Sequence, residues 1–584
     1  MKLRLLILIL FSLIIFSNSL FNKFVWVDHT QIVQEEHIIH GISGFIDTFF
    51  SVMPGFYGSV KGGYYRPIIN LSHSIDYWIW GPNPFGFHLT NVLAHTLTGV
   101  ILYLVLLRII AIEPVAFLAS LFFLAHPIHT EAVSWISGRG DMVFALFYLL
   151  SFLFYLKAGS NGNNISNPPL PPFSKGGNYL YSGAFFLLAL QSKEMALTLP
   201  LIIILYDVCF RLRDKTFSLS RNFKVYVYYF GLLAGYMIFR ILILGGIGSG
   251  QVIPGNNYFT AIYTTSRIFV WYIWKLIFPV SLAVADVVRL AASLTDPTVA
   301  GSIILLLLLL SAAVFLFRSY PELSFGILWF FITMIPVSNL VPALHFKAER
   351  YLYLPSIGYC LILAALLWKL HIFATRRWPS AKWGIVALAS LISLTYGILT
   401  FDRNFDWKDD LTIFTDAVRK SPYTREAYAE LGVTLREMKR YREAEAAFLA
   451  ALREREGYAA FVQRIPMHQN LAEIYFETGQ APKAINHLLW LSRYYSNDYK
   501  AQRDLGLAYL SIGRPDWALL KFRQALLNSP KDPKLVEVFQ RAIKFAESSA
   551  VNDENTGWQE WVNLEAVNND LSEARSALAS MQPK

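Results

Sequence analysis

Residues 3–29 read LRLLILILFSLIIFSNSLFNKFVWVDH. An apolar run ends in aromatic residues, and a carboxylate, Asp28, follows at once with His29 behind it. Roughly 20 mostly apolar residues carry a helix across the hydrocarbon core of a bilayer. A carboxylate at the edge of that core is costly unless it is solvated, paired or used. Asp28 is therefore either a loop or cap residue facing water, or a general base held beside the membrane. The basic start, Lys2 and Arg4, followed by an apolar core also fits a signal peptide, but Ser17-Asn18-Ser19 is a poor cleavage site. A retained helix is expected, and in either case Asp28 lies outside the cytoplasm.

Composition extends that reading to most of the chain. The 584 residues are 55% hydrophobic and 15% aromatic, with a mean hydropathy of +0.40. A soluble protein of this length is far less apolar, so the class is polytopic membrane protein. The excess is confined to residues 1–402; residues 403–584 are polar and charge-rich. The net charge of +10 points to Lys and Arg in cytoplasmic loops rather than to nucleic acid. Cys209 and Cys360 both fall in apolar runs, so disulfides are not a design element.

Apolar runs occur at 3–20, 87–107, 113–127, 141–157, 179–192, 195–210, 224–244, 298–317, 323–341, 353–370 and 385–402. Basic groups at Lys2/Arg4, Arg108, Arg211–Lys215, Arg318 and Arg376-Arg377 all fall on the cytoplasmic side if these runs make about eleven crossings with the N-terminus inside. That count requires the apolar segment 258–283 not to cross fully, so a re-entrant or interfacial helix is expected there. Residues 403–584 then lie outside the cytoplasm. Residues 158–178 are rich in Pro, Gly and Asn and read as a disordered cytoplasmic loop.

The outer loops collect polar residues. They hold Arg66; His126-Pro127-Ile128-His129-Thr130-Glu131 leading to Arg139 and Asp141; Lys193-Glu194 in a very short turn; and Lys347 with Glu349-Arg350-Tyr351. Lys193, Lys347 and Arg350 stand against the positive-inside rule, so something must compensate them. One answer is ion pairing with the adjacent Glu194 and Glu349. The other is an anionic ligand such as a lipid-linked phosphate, which Arg grips bidentately and Lys holds as a point charge. A divalent metal bound by His126, His129, Glu131 and Asp28 is a weaker alternative, since His-x-x-His on a loop more often serves packing. There is no Walker loop and no nucleophile elbow, which leaves ATP-driven transport and hydrolase chemistry without support. The parts suit glycosyl transfer from a lipid phosphate: a carboxylate takes the acceptor proton and cations stabilise the departing phosphate.

The run YYRPIINLSHSIDYWIWGPNPFGFHLTNVLAH from Tyr64, the run HPIHTEAVSWISGRGD from His126, the turn SKE at Ser192 and the run AERYLYLPSIGYC from Ala348 together resemble the TMTC proteins. These are transmembrane and tetratricopeptide-repeat (TPR) proteins of the GT-C glycosyltransferase superfamily. The resemblance implies an all-α, multi-span GT-C domain with its active site on the outer face. It implies transfer of mannose or a related sugar from a polyprenyl-phosphate donor to hydroxyls of a protein or peptide acceptor, with no cofactor firmly required. Two adjacent acids follow an aromatic in the family pattern; here Val27 stands at the first and Asp28 at the second. Asp28 becomes the base, with Glu131 as its substitute, while Lys193 and Arg350, with Arg66 and Arg139, become the donor-phosphate ligands. His29, His129, Glu194, Glu349 and Tyr351 would support them. Val27 keeps open the alternative of an inactive membrane-anchored scaffold. A lipid-linked sugar transporter has less support, since no repeated halves are evident.

Beyond residue 402, Leu471-Ala472 and Leu505-Gly506 mark equivalent positions 34 residues apart, the TPR period. Leu431-Gly432 stands 40 residues before Leu471, which places an insertion within 453–466. Three repeats over 403–547, closed by a capping helix at 533–547, are expected to bind a protein or peptide in a concave groove. The tail 548–584 carries Trp558 and Trp561 and an amphipathic stretch.

Overall fold

Inside a bilayer no water satisfies backbone groups, so an apolar run must bond within itself and becomes a helix. The computed structural model is accordingly helical nearly throughout. It describes residues 1–39, 65–159, 172–213, 217–244, 255, 257–339, 345–378, 380–454, 457–459, 464–494, 498–529 and 532–550. Most of the Pro/Gly-rich loop at 158–178 and nearly all of the tail from 548 lie outside the described residues.

The chain forms two compact units. The first holds Met1–Thr424 with Arg455–Ala460, the second Arg425–Glu454 with Phe461–Lys584. The first contains α1 (Lys2–Ile15), α2 (Pro67–Trp80), α3 (Pro84–Ile110), α4 (Glu113–Ala125), α5 (Arg139–Gly159), α6 (Pro172–Ser192), α7 (Leu199–Tyr206), α8 (Leu219–Leu244), α9 (Tyr258–Ile277), α10 (Pro297–Leu316), α11 (Pro321–Met334), α12 (Ser356–Arg377), α13 (Ala381–Asn404) and α14 (Asp410–Lys420). Residue 402 falls inside α13, and the first unit continues past it through α14.

Among the described residues, six helices are long and apolar enough to cross a membrane, or up to seven if α4 and the bent segment after it form one span. The other apolar runs are shorter or interrupted. The first gives a 14-residue α1 followed by a 3-10 turn, Ser17–Phe21. The run at 195–210 is divided among a 3-10 turn, α7 and a π segment. α4 bends by 50° against the segment beginning at Pro127, where proline removes a donor.

Two ends of the bundle can be told apart by their contacts. At one end Arg4 pairs with Glu113, Arg213 donates to the carbonyls of Phe317 and Arg318, and Lys369 pairs with Glu322. At the other end lie residues 126–138, 193–198, 345–355 and 404–409. α9 is bonded to this second end from both halves. The Thr265 hydroxyl donates to Ser338 O (3.0 Å), Ala291 N donates to Thr264 Oγ1 (3.0 Å), and His126 Nε2 meets Leu276 O (2.9 Å). α9 is not among the spans. α11 and α12 approach closely at Gly326 and Gly358: a Cβ on Gly326 would sit 2.8 Å from the Gly358 carbonyl. Small residues at such crossings let backbones meet where lipid supplies no hydrophobic drive.

The second unit contains α15 (Arg425–Glu437), α16 (Tyr441–Leu452), α17 (Arg464–Glu477), α18 (Ala481–Tyr494), α19 (Tyr499–Ser511), α20 (Pro515–Asn528) and α21 (Pro533–Ala550). Each helix pair closes over one aromatic or leucine. Phe448 and Phe522 are fully buried, and a Cβ on Gly432 or Gly506 would come within 2.7 and 2.6 Å of their rings. That contact explains the glycine after Leu431 and after Leu505. α21 lays Leu535, Phe539, Ala542 and Ile543 against α20, which continues the stack.

Gly506→Val is expected to destabilise this unit by about 1–3 kcal/mol through overpacking against Phe522. Thermal unfolding of the full-length protein in detergent checks it; an unchanged melting temperature would remove the close approach as the reason for glycine there.

Candidate functional site

Arg139 opens α5 and is fully buried. Its Nη2 meets Asp76 Oδ2 of α2 at 2.5 Å and donates to the Phe87 carbonyl of α3 (2.9 Å). Nε donates to Asn91 Oδ1 (2.8 Å) and Nη1 to the Ser72 carbonyl (3.1 Å). A guanidinium offers five donors in a fixed fork, and here the fork fastens three helices. The phosphate-ligand role expected of Arg139 from the sequence meets a side chain whose donors are already taken by protein acceptors, the geometry of a clasp.

Beside it lies a cluster of charges drawn from distant loops. Lys193 follows α6 in extended backbone, so its side chain and that of Glu194 point apart. Lys193 Nζ meets Asp141 Oδ1 of α5 at 2.6 Å, whereas Glu194 takes Arg66 (2.8 Å) and Arg240 of α8 (2.7 Å). Burial pushes the Glu194 carboxyl up, but the two guanidinium groups outweigh it and hold it well below the usual carboxylate range. Burial pulls the Lys193 ammonium down to about 8; Arg66 and Arg350 add to that, and Asp141 opposes it.

The 3-10 turn Glu349–Leu352 brings Arg350 to Glu131. Its backbone N–H donates to the same carboxylate, at Oε2 (2.9 Å). The Arg350 guanidinium lies 5.4 Å from the Trp135 ring and 5.3 Å from the Tyr351 ring, and Lys193 Nζ lies 5.6 Å from the latter. Tyr351 is thus flanked by both cations. Burial disfavours the charged Arg350, yet Glu131, Tyr351 and Asp141 more than restore it and raise its pKa. Four cations (Arg66, Arg240, Lys193, Arg350) face three carboxylates (Glu194, Asp141, Glu131). The residual positive charge, in a place with little water, suits an anion.

Glu349 turns the other way from Arg350. Its Oε1 accepts from Ala283 N (2.6 Å), and Oε2 takes Arg403 (3.4 Å), which also holds Asp406 and Asp416. Burial, and Glu131 nearby, raise the Glu349 pKa, with Arg403 working against them. Lys347 pairs with Asp286 (2.6 Å).

Asp28 is fully buried. Its Oδ1 accepts from the backbone N–H (2.9 Å) and hydroxyl (2.5 Å) of Ser137, and Oδ2 accepts from Val25 N (3.0 Å). Burial raises its pKa to about 6 despite these bonds. Trp26, at φ +57°, stacks on Trp135 at 5.0 Å, so the Asp28 loop and Arg350 share one aromatic neighbour. His29 reaches outward to Asp410 (2.9 Å) at the start of α14, a helix opened by the capping box of Asp409 and Thr412.

His126 uses both ring nitrogens, on Leu276 O and on Ile128 N. His129 meets Ser356 Oγ at 2.9 Å among Phe123, His95 and Tyr353. Among the described residues, no three or more His, Cys, Asp or Glu side chains are grouped to hold a metal.

The geometry therefore gathers Glu131, Lys193, Arg350, Arg66, Glu194 and Tyr351, with Asp28 two residues' contacts away through Ser137 and Trp135. It adds Asp141, which the sequence presented only inside a motif, and Arg240. A lone arginine in the apolar run 224–244 was the available signal for the latter.

A tetratricopeptide-repeat family profile matches residues 470–533. Over 629 aligned residues the chain is 25% identical to human protein O-mannosyl-transferase TMTC3, covering 96% of this chain and 65% of that protein. Identity to Drosophila melanogaster protein O-mannosyl-transferase Tmtc3 is 26%, covering 67% of this chain and 48% of that protein. Human protein O-mannosyl-transferase TMTC1 matches at 25%, with the same two coverages. The chain is TMTC-like, and it spans between about half and two thirds of the length of these relatives. The solved oligosaccharyltransferase of Archaeoglobus fulgidus is 15% identical, covering 78% of this chain and 59% of that one, at a TM-score of 0.39, too low to assign the fold.

Arg139→Met would leave the Asp76 carboxylate buried and unpaired, at a cost of about 3–5 kcal/mol. A large fall in melting temperature in detergent is expected, with Arg139→Lys recovering only part of it because one ammonium cannot span the same acceptors. Wild-type stability in the Met variant would return Arg139 to the ligand-binding candidates.

Proposed function

We propose that this TMTC-like chain is an inverting membrane glycosyltransferase of GT-C type that moves a mannose-like sugar from a polyprenyl-phosphate donor to hydroxyls of a protein acceptor. The observation that carries the reading is the cluster of Lys193 and Arg350 at the Tyr351 ring with Arg66 and Arg240 beside them, four cations to three carboxylates. In the reaction the acceptor oxygen attacks the anomeric carbon and its proton passes to a carboxylate. The bond from that carbon to the phosphate oxygen breaks, and its electron pair stays on the lipid phosphate. Lys193, Arg350 and Arg66 stabilise the charge that develops there. Asp28 takes the proton; Glu131 is the second candidate, and its ion pair with Arg350 must loosen first. The resemblance to protein O-mannosyl-transferases supports the sugar and the acceptor class. The positive-inside rule supports a cytoplasmic end at Arg4, Arg213 and Lys369, with the charge cluster and the repeats outside. The repeats are read as the capture surface for the acceptor or a partner protein.

The test is transfer of labelled mannose from a polyprenyl-phosphate donor to peptides by the purified full-length protein. Asp28→Asn is expected to lose roughly a hundredfold or more, the usual scale for removing a general base. Wild-type transfer should rise with pH through about 6, because the base works only unprotonated and burial holds the Asp28 pKa there. Equal activity of wild type and Asp28→Asn would pass the role to Glu131, checked with Glu131→Gln. Val27, together with the complete internal bonding of Asp28, favours the second reading, an inactive scaffold. Absence of transfer where a TMTC protein works under the same conditions would select it.

A further inference from the structure

We propose that Asp141 is a placeholder for the donor phosphate: its carboxylate holds Lys193 while the site is empty and releases the ammonium when a lipid phosphate arrives. This rests on the reading of the cluster as a phosphate site.

Two kinds of ion pair occur at this end of the bundle. Arg139 is locked, because its fork is divided among Asp76, Asn91, Ser72 and Phe87. Lys193 is different. It reaches Asp141 at 2.6 Å through one ammonium on a flexible stem, a point charge that exchanges one oxygen for another without breaking a bidentate geometry. Both side chains are more than nine-tenths buried, at 7% and 3% exposure, so neither is left to water when the site is empty. The charged groups that face Lys193 are Asp141 from α5, Arg66 from the start of α2 and Arg350 from the turn after residue 348. Two of the three are cations. An anion placed among Lys193, Arg66 and Arg350 therefore relieves their repulsion as well as meeting the ammonium. The Tyr351 ring flanks Lys193 and Arg350 alike, so an ammonium that leaves Asp141 keeps a partner. Asp141 is not stranded either, because Arg350 and Arg66 also act on its charge. Each partner thus keeps an interaction after the exchange.

The consequence is an inversion of the usual effect of cutting a buried ion pair. With Asp141→Asn the lysine loses its competitor, so phosphate should bind more tightly, roughly tenfold at pH 6, the equivalent of one charge-assisted hydrogen bond. Binding needs the ammonium and is lost as pH rises through its pKa, about 8 in the wild type. Asp141 is what opposes burial, so the binding midpoint should move to lower pH in the Asn variant. The gain at pH 6 should shrink or reverse above pH 8.

The measurement is calorimetric titration of the full-length protein in detergent with decaprenyl phosphate, and separately with inorganic phosphate, at several pH values. Tighter binding by Asp141→Asn at pH 6 supports the proposal, provided that Lys193→Gln abolishes the gain in the double variant. Weaker or equal binding at pH 6, a gain that persists without Lys193, or no binding of either probe to wild type and variant overturns it. Asp141→Glu keeps the acid and should not bind more tightly than wild type; if it does, the competitor role is wrong. Should wild type bind decaprenyl phosphate no better than inorganic phosphate, the lipid-donor reading fails, while the sign of the Asn effect still decides the role of Asp141.

Discussion

A charge surrounded by apolar helices must find a counter-charge, because water is not there to solvate it. That requirement organises the membrane-apolar unit. From Arg240 through Glu194 to Arg66, from Lys193 to Asp141, from Arg350 to Glu131 and from Glu349 to Arg403, each buried charge meets an opposite one. The pairs join α5, α8 and α13 with the turns that follow α6 and precede α12. Buried pairs of this kind add little net stability compared with apolar packing. What they fix is which loops meet, and so where an anion can sit.

The helices supply the platform by a separate mechanism. Apolar packing and the Gly326–Gly358 approach bring the spans together, while Arg139 draws α2, α3 and α5 into one corner. The catalytic expectation depends on both. Asp28 reaches the cluster because Ser137, between Glu131 and Arg139, donates to its carboxylate and Trp135 stacks on the neighbouring Trp26 indole. A clasp and a candidate site are thus built from one short stretch, 131–141. The same stretch holds Arg139 and, two residues on, Lys193's partner Asp141, and the two cations have unlike roles: donors divided among fixed acceptors cannot turn to a ligand, and an ammonium can.

Much of this was legible in the residues. The apolar runs announced helices, since a backbone in lipid has no other solution. The 34-residue spacing of Leu471 and Leu505 announced the repeats, and Gly506 is small because Phe522 fills its place. Lys193, Lys347 and Arg350 stood out by standing where positive charge is disfavoured, and Glu131 and Glu194 by lying in the same outer loops. Arg139 looked like one more cation of that set, and sequence offers no means of knowing that its donors are already directed at two neighbouring helices, α2 and α3.

Sequence alone determined which segments are apolar, where the repeats fall and which residue types are available for chemistry, because these follow from local composition and period. Tertiary structure decided the pairing. Lys193 and Glu194 are neighbours, yet Lys193 pairs 52 residues away and Glu194 128 residues away; Arg350 and Glu349 likewise part, with Glu131 219 residues distant. Lys193 stands on extended backbone, where successive side chains point to opposite sides, and Glu349 and Arg350 stand in a 3-10 turn, where neighbours project about 120° apart around the axis. Their partners are set only when the helices have packed.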